Sequence, residues 1–176
     1  MVVPEVEELA VGAPHEVALE NALRKARAVS EGKVLAEMPD ADAAIVLAAD
    51  TVVELDGVLY GKPADEGAAR AALRSLSGMT HTVVGAVVLL RAGEEARSAT
   101  AATQVSFRSL ADAEIDWYLQ SGEWRGRAGG YAIQGRGGAL VKRIDGDYEN
   151  VVGLALQALL GIWPQLLQMS PPRALG

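Results

Sequence analysis

One stretch of the sequence places an acid and a base at the ends of two predicted strands. The apolar run 44–49 predicts a buried strand that ends at Asp50. Asp56-Gly57, between two apolar or β-branched runs, is typical of a hairpin turn, and the return strand ends just before Lys62. A carboxylate so placed can hold a divalent metal or take a proton from water, and a nearby ammonium can neutralise phosphate oxygens. The alternative is a surface Asp and Lys that merely flank a turn.

The elements around this hairpin mix helices with strands. A helix is predicted over residues 14–31, where apolar residues recur at helical spacing after Pro14 and before Gly32. The remaining helices are predicted at 65–77, 112–120 and 150–163, and the remaining strands at 82–91, 100–107 and 139–144. This order predicts an α/β fold with a mixed, twisted sheet flanked by helices. We expect a single domain over residues 1–169, followed by a loose tail at 170–176.

Composition excludes several classes of protein. The 176 residues are 50% hydrophobic, enough for one sizeable core, and contain no run of about 18 apolar residues that would predict a membrane span. The absence of Cys excludes disulfides, thiolate zinc sites and Cys nucleophiles, and it fits a reducing cytoplasm. The net charge of -7 offers no general attraction to nucleic acid or anionic lipid. We therefore expect a cytoplasmic protein that binds neither nucleic acid nor membrane.

Ordered motifs along most of the chain resemble one family. They are Ala-Asp-Thr-Val-Val at 49–53, Gly-Lys-Pro at 61–63, Leu-Ser-Gly-Met-Thr-His at 76–81, Ala-Gly-Gly-Tyr-Ala-Ile-Gln-Gly at 128–135 and Gly-Asp-Tyr-Glu-Asn-Val-Val-Gly-Leu at 146–154. The sequence resembles the Maf family of nucleoside triphosphate pyrophosphatases, which are structurally similar to inosine triphosphate pyrophosphatases. The resemblance implies that Asp50 is the catalytic base.

The resemblance also implies roles for charged residues that spacing alone leaves open. Lys25 lies in the Ala-x-x-Lys-Ala pattern of the family and, with Lys62, is expected to contact phosphates. Taken alone, a helical lysine is normally a solvated charge. Glu8 lies in a run similar to the family's acidic Pro-Asp-Val-Asp-Glu segment, and with Asp50 it would supply oxygen ligands suited to Mg²⁺ or Mn²⁺. The alternative for Glu8 is an acidic, frayed N-terminus.

Two further residues are candidates for base selection. The Tyr-x-Ile-Gln-Gly pattern resembles the branch that acts on dTTP and UTP, and it makes Gln134, together with Thr51, the expected reader of the base. The Gln amide offers donors and an acceptor, which suits the edge of a pyrimidine. No P-loop is present, and His15 and His81 do not have the spacing of metal ligands.

Two functions follow as hypotheses. The first is a house-cleaning enzyme that converts dTTP or UTP to the monophosphate and pyrophosphate, with a homodimer as the candidate assembly. The second is a catalytically impaired, nucleotide-binding regulator linked to cell division and septum formation.

Family members usually begin with Leu-Ala-Ser-x-Ser-Pro-Arg-Arg, which supplies a Ser and an Arg to the phosphate site. This sequence lacks it, and its first residues correspond to a point about 25 to 30 residues into a typical member. A truncated sequence, a miscalled start or a decayed paralogue would each explain the difference, and we expect lower activity as a result.

Overall fold

The computed structural model describes residues 4–37, 41–91 and 93–168. The helices are α1 (Pro14–Ser30), α2 (Lys33–Ala36), α3 (Glu66–Leu76), α4 (Asp112–Leu119), α5 (Tyr148–Val152) and α6 (Leu156–Ile162). The strands are β1 (Ile45–Leu55), β2 (Val58–Tyr60), β3 (Thr80–Arg91), β4 (Arg97–Phe107) and β5 (Val141–Asp145). The predicted α/β class is confirmed, and the predicted tail at 170–176 lies outside the described residues.

The described strands form one five-stranded sheet in the order β2-β1-β3-β4-β5. Every pairing among these strands is antiparallel, so in this detail the sheet differs from the predicted mixed one. The reason lies in the connections. Strands β1 and β2, and likewise β3 and β4, follow each other directly in the sequence and are joined by short connections. Parallel neighbours would need a longer crossover connection.

Strand β1 does not end at Asp50, as the sequence predicted, but continues unbroken to Leu55. It pairs with β3 from Ile45 to Glu54, and Asp50 lies opposite Ala86 in the middle of this ladder. Two features explain the continuation. Val52 and Val53 keep both faces of the strand apolar beyond Asp50, and side chains from α1 supply the hydrogen bonds that a buried carboxylate requires. The acid therefore projects from the centre of a strand.

The predicted hairpin after Asp50 is confirmed. Strands β1 and β2 pair around Asp56-Gly57, with Leu55 opposite Val58. Both turn residues have positive φ, 52° at Asp56 and 81° at Gly57, as a two-residue hairpin turn with the right-handed twist requires. The turn brings Lys62 back alongside β1.

The two faces of the sheet bury separate apolar clusters. Alternate residues of β3 point to opposite faces. Val84, Ala86 and Val88 pack under α1, whose fully buried alanines allow the helix to lie close to the sheet. Val83 points to the other face, into the cluster formed with α3 and α4, while Val87 packs against α6 on that face.

The predicted helix over 150–163 is wrong in one respect, because it is two helices. Helix α5 ends at Val152 and α6 begins at Leu156. Gly153 lies between them with φ of 129°, a conformation that a helix cannot include. No helix in the described parts of the chain combines the length and the apolar character that a bilayer span requires.

Candidate active site

The buried carboxylate of Asp50 is the centre of the site. Its side chain is 5% exposed and projects from β1 toward α1. Lys25 donates a hydrogen bond to Oδ1, and the amide Nδ2 of Asn21 donates to Oδ2 over 3.3 Å. Asn21 and Lys25 are four residues apart on α1 and therefore lie on the same side of the helix, facing the strand. Each oxygen of Asp50 thus has a donor of its own.

Charges alternate outward from Asp50 to the surface. The Lys25 ammonium, in contact with Asp50, also lies 2.8 Å from Glu8 Oε1. Lys62 Nζ contacts the same Glu8 carboxylate, at 2.6 Å from Oε1 and 2.8 Å from Oε2. The side chain of Lys62 is 47% exposed, whereas that of Lys25 is 18% exposed. The four side chains form a continuous acid–base cluster that runs from the buried Asp50, through Lys25 and Glu8, to the exposed Lys62.

The cluster changes the proton affinity of its members. Burial raises the pKa of Asp50 above its ordinary value, although the hydrogen bond from Lys25 opposes the change. For Lys25, burial favours a lower pKa, but the hydrogen bonds to Asp50 and Glu8 prevail and raise it. For Glu8, burial favours a higher pKa, but the hydrogen bonds from Lys25 and Lys62 prevail and lower it. Lys25 is therefore firmly cationic, and Asp50 is a stronger base than an exposed aspartate.

A pocket of about 170 Å³ opens beside this cluster. Five of the six residues predicted from sequence line it, namely Lys25, Asp50, Thr51, Lys62 and Gln134. The sixth, Glu8, lines an adjoining cavity of about 620 Å³ that Lys25 and Lys62 also line. The structure thus brings together residues that are up to 126 positions apart in the sequence (Glu8 to Gln134).

Gln134 reaches the pocket from a Gly-rich loop that folds against the hairpin. Gly129 N donates to Gly61 O over 3.2 Å and has φ of 67°, which fixes the loop beside Lys62. Just after Gln134, the carboxylate of Glu123 accepts a hydrogen bond of 2.7 Å from Arg136 N. The exposed Gln134 side chain therefore projects from a backbone that is held on both sides.

Sequence reasoning gave no role to three residues of the site. Arg127 lines the pocket and adds a third cationic side chain to it. Asn21 is 2% exposed and contacts Asp50, and its signal was a polar residue within the apolar stripe of α1. Tyr131 lines the pocket, and its hydroxyl lies 2.8 Å from the buried His81 Nε2. His81, which lacks the spacing of a metal ligand, thus supports a wall of the pocket.

The donors of the site suit a divalent cation shared with phosphates. Glu8 and Asp50 converge on one cation already, the ammonium of Lys25. Among the described residues, no group of three His, Cys, Asp or Glu side chains could hold a metal by itself. Mg²⁺ is commonly held by one or two carboxylates with substrate phosphates completing the shell. Two acids beside a lysine-lined pocket fit that pattern.

Fold and site together describe an α/β protein with a buried carboxylate and several cations around one pocket. Comparison with known proteins is consistent with this class. The family described as Maf-like protein matches residues 1–165, and the chain belongs to that family.

Several similar proteins are named for an enzymatic activity. The chain is 48% identical over 148 residues to a dTTP/UTP pyrophosphatase of Deinococcus radiodurans, an alignment that covers 84% of this chain and 71% of the relative. It is 49% identical over 156 residues to a protein of the same name from Symbiobacterium thermophilum, covering 88% and 76%. A nucleoside triphosphate pyrophosphatase of Xylella fastidiosa is 50% identical over 123 residues, covering 70% and 65%.

Proposed function

We propose that this protein hydrolyses nucleoside triphosphates, with dTTP and UTP as the preferred substrates, to the monophosphate and pyrophosphate. The observation that carries the proposal is the cluster of Asp50, Lys25, Glu8 and Lys62 beside a pocket that Gln134 also lines. Membership of the Maf family and the names of its relatives support the same activity.

The proposed chemistry begins with water near Asp50. The carboxylate accepts a proton from the water while the water oxygen bonds to the α-phosphorus. The bond between the α-phosphorus and the bridging oxygen breaks, and its electron pair leaves with pyrophosphate. The raised pKa of Asp50 brings its basicity closer to neutral pH, where a general base is most effective. The proton thus remains on Asp50 until solvent removes it.

In this proposal Lys25 and Lys62 bind the phosphates and neutralise their charge. Both ammoniums contact Glu8 in the structure, so an incoming triphosphate competes with that carboxylate for them. Positioned cations that meet charge developing on phosphate oxygens are a major source of rate acceleration. A Mg²⁺ or Mn²⁺ held by Glu8 and Asp50 would neutralise further phosphate charge when bound.

Base selection falls to Gln134 with the Thr51 hydroxyl. The Gln134 amide can present donors and an acceptor to the edge of a pyrimidine.

A location in the cytoplasm, where thiols stay reduced, fits a chain without Cys. There the activity would remove excess or non-standard nucleotides.

The test is metal-dependent release of pyrophosphate and monophosphate from dTTP, UTP, CTP and dGTP. We expect dTTP or UTP to give the highest kcat/KM. Asp50→Asn should reduce turnover about a hundredfold or more through loss of the base. Asp145→Asn, which alters an exposed carboxylate at the far edge of the sheet, is the matched control.

Two results would contradict the proposal. Wild-type turnover in Asp50→Asn would remove Asp50 from the mechanism. Tight nucleotide binding without any pyrophosphate release would favour the regulator of cell division instead.

A further inference from the structure

Both polar atoms of the Asn21 side-chain amide form hydrogen bonds within the protein. It is 2% exposed, in the middle of α1. Its Nδ2 donates to Asp50 Oδ2 over 3.3 Å and to the Leu9 carbonyl over 3.2 Å. In return, Leu9 N donates to Asn21 Oδ1 over 2.7 Å. One buried side chain therefore touches both the central acid of the site and the main chain beside Glu8.

The segment that carries Glu8 has little other support. Residues 4–13 precede α1 without regular secondary structure. Besides the Asn21 pair and the ion pairs of Glu8, Arg24 Nη1 donates to the Glu7 carbonyl over 2.8 Å, at an exposed position. A short exposed segment of this kind gains its order from a few hydrogen bonds, and the buried, paired bonds at Asn21 are the ones best shielded from water.

We propose that Asn21 is a positioning residue that holds Asp50 and the Glu8 segment in one fixed relation. Lys25 and Asn21 occupy separate oxygens of Asp50, so together they fix the rotation of its carboxylate. The two bonds to Leu9 fix the neighbouring peptide, from which the Glu8 carboxylate reaches Lys25 and Lys62. This inference rests on the proposed function for its effect on turnover, but its structural content can be measured without turnover.

A purely structural role for Asn21 predicts a different result. A buried asparagine that only satisfies its own hydrogen bonds affects stability, and its loss lowers activity no more than other changes of equal stability cost. A positioning role predicts that activity and the order of the Glu8 segment fall beyond that level. The experiment therefore needs variants matched for stability.

Three variants separate these outcomes. Asn21→Leu keeps the branching at Cγ but removes every side-chain hydrogen bond. Asn21→Asp keeps the acceptor for Leu9 N but removes both Nδ2 donations, to Asp50 and to the Leu9 carbonyl, and it places a second carboxylate against Asp50. Val29→Ala, on the same helix and packed on the same apolar cluster, is the control for stability, because Val29 is not among the residues that line the site.

The first measurement is amide hydrogen exchange of the ligand-free full chain. We expect Asn21→Leu to speed exchange of the Leu9 amide at least about tenfold, since this amide donates to Asn21 Oδ1 and local opening removes its protection. Asn21→Asp should keep the Leu9 amide protected, and Val29→Ala should leave the segment unchanged. Unchanged exchange in Asn21→Leu would overturn the proposal.

The second measurement is steady-state hydrolysis. We expect kcat to fall at least about tenfold in both Asn21 variants, because misplacement near the reacting atoms costs rate. In Asn21→Asp, KM should change less than kcat, since the Glu8 segment keeps the hydrogen bond from Leu9 N while Asp50 loses a donor and gains a carboxylate neighbour. If Asn21→Leu does not fold, Asn21→Asp decides the matter, and kcat within twofold of wild type would overturn the proposal.

The two proposals can fail separately. If the wild-type protein releases pyrophosphate from none of the nucleotides, the proposed function fails, while hydrogen exchange still decides whether Asn21 anchors the Glu8 segment. If wild type is active but Val29→Ala loses as much kcat as Asn21→Leu, the positioning role fails and the proposed function stands.

Discussion

Lys25 of helix α1 contacts Asp50 of strand β1 at a depth where only 18% and 5% of the two side chains are exposed. A buried ion pair is rarely a device for stability, because the loss of hydration on both charges offsets their attraction. The pair here lies on the wall of a pocket. Its location is better explained by the chemistry that a fixed acid beside a fixed cation can perform.

Replacing Lys25 or Lys62 by Met should show how the stability contribution of a buried ion pair differs from that of an exposed one. Lys25→Met leaves Asp50 charged without its cation, and we expect a loss of about 3 kcal/mol in the free energy of unfolding at pH 8. Lys62→Met should cost below about 1 kcal/mol, because that ion pair is partly solvated. Both should reduce turnover, by about a hundredfold if each stabilises charge on the phosphates. Urea unfolding and steady-state kinetics measure the two effects.

The pH dependence of Lys25→Met provides an internal check. Without Lys25, the pKa of Asp50 in the folded state should rise further above its unfolded value. The unfolded chain then ionises first, so the destabilisation should grow as pH rises through the carboxylate range and shrink at acidic pH. An equal loss at all pH values would mean that lost packing, not charge, is responsible.

Gln134→Ala should change selectivity more than turnover. A site built on hydrogen bonds rejects a wrong partner because its polar groups remain unpaired. We expect the ratios of kcat/KM among dTTP, UTP, CTP and dGTP to approach one another, while kcat for dTTP falls less. Gln157→Ala, at an exposed position on α6, is the control. Unchanged ratios would show that Gln134 does not read the base.

Local patterns in the sequence were sufficient for most elements but not for the position of Asp50. The Asp-Gly turn and the apolar stripe of α1 gave the hairpin and helix correctly, since both depend on residues close in sequence. Ending the strand at Asp50 was wrong because a charge was taken as the limit of the core. The charge is compensated by Lys25, 25 residues earlier, and this contact is tertiary.

In the candidate site, too, some residues could be predicted from the sequence and others only from the structure. Motif resemblance selected Lys25, Thr51 and Gln134, which the structure brings to one pocket. Asn21 was not selected because a polar residue within an apolar helical stripe is a weak signal, and its burial and its two partners are visible only in the structure. Pairwise distances between remote segments are information that a single sequence does not contain.

His81 should make stability depend on pH. The ring is 1% exposed, its Nε2 meets the Tyr131 hydroxyl, and its Nδ1 has no partner among the described residues. Burial lowers the pKa of His81 from 6.5 to about 4. The unfolded chain therefore binds a proton between these values while the folded one does not. Stability from this group is complete above pH 6.5 and is lost as pH falls toward 4, by about 3 kcal/mol in all.

The measurement is urea unfolding from pH 7.5 to pH 4 for wild type and His81→Gln. We expect the variant to lose less stability over that interval, by roughly the same 3 kcal/mol, because Gln does not titrate. His15→Gln, which alters an exposed histidine, tests whether loss of any imidazole has this effect. Parallel curves for wild type and His81→Gln would contradict the prediction.

Gly137→Ala should damage the loop that carries Gln134. A Cβ at Gly137 would lie 2.5 Å from the Ala132 carbonyl oxygen and 2.8 Å from its carbon, and backbone atoms cannot move aside as a flexible side chain can. We expect a loss of about 1–3 kcal/mol in the free energy of unfolding, with weaker discrimination among nucleotides as Gln134 shifts. Gly161→Ala is the matched control, because nothing lies within 4 Å of its Cβ position and Ala favours helix α6. Thermal or urea unfolding compares the two, and equal stability of both variants would show that the close approach at Gly137 is not a constraint on the loop.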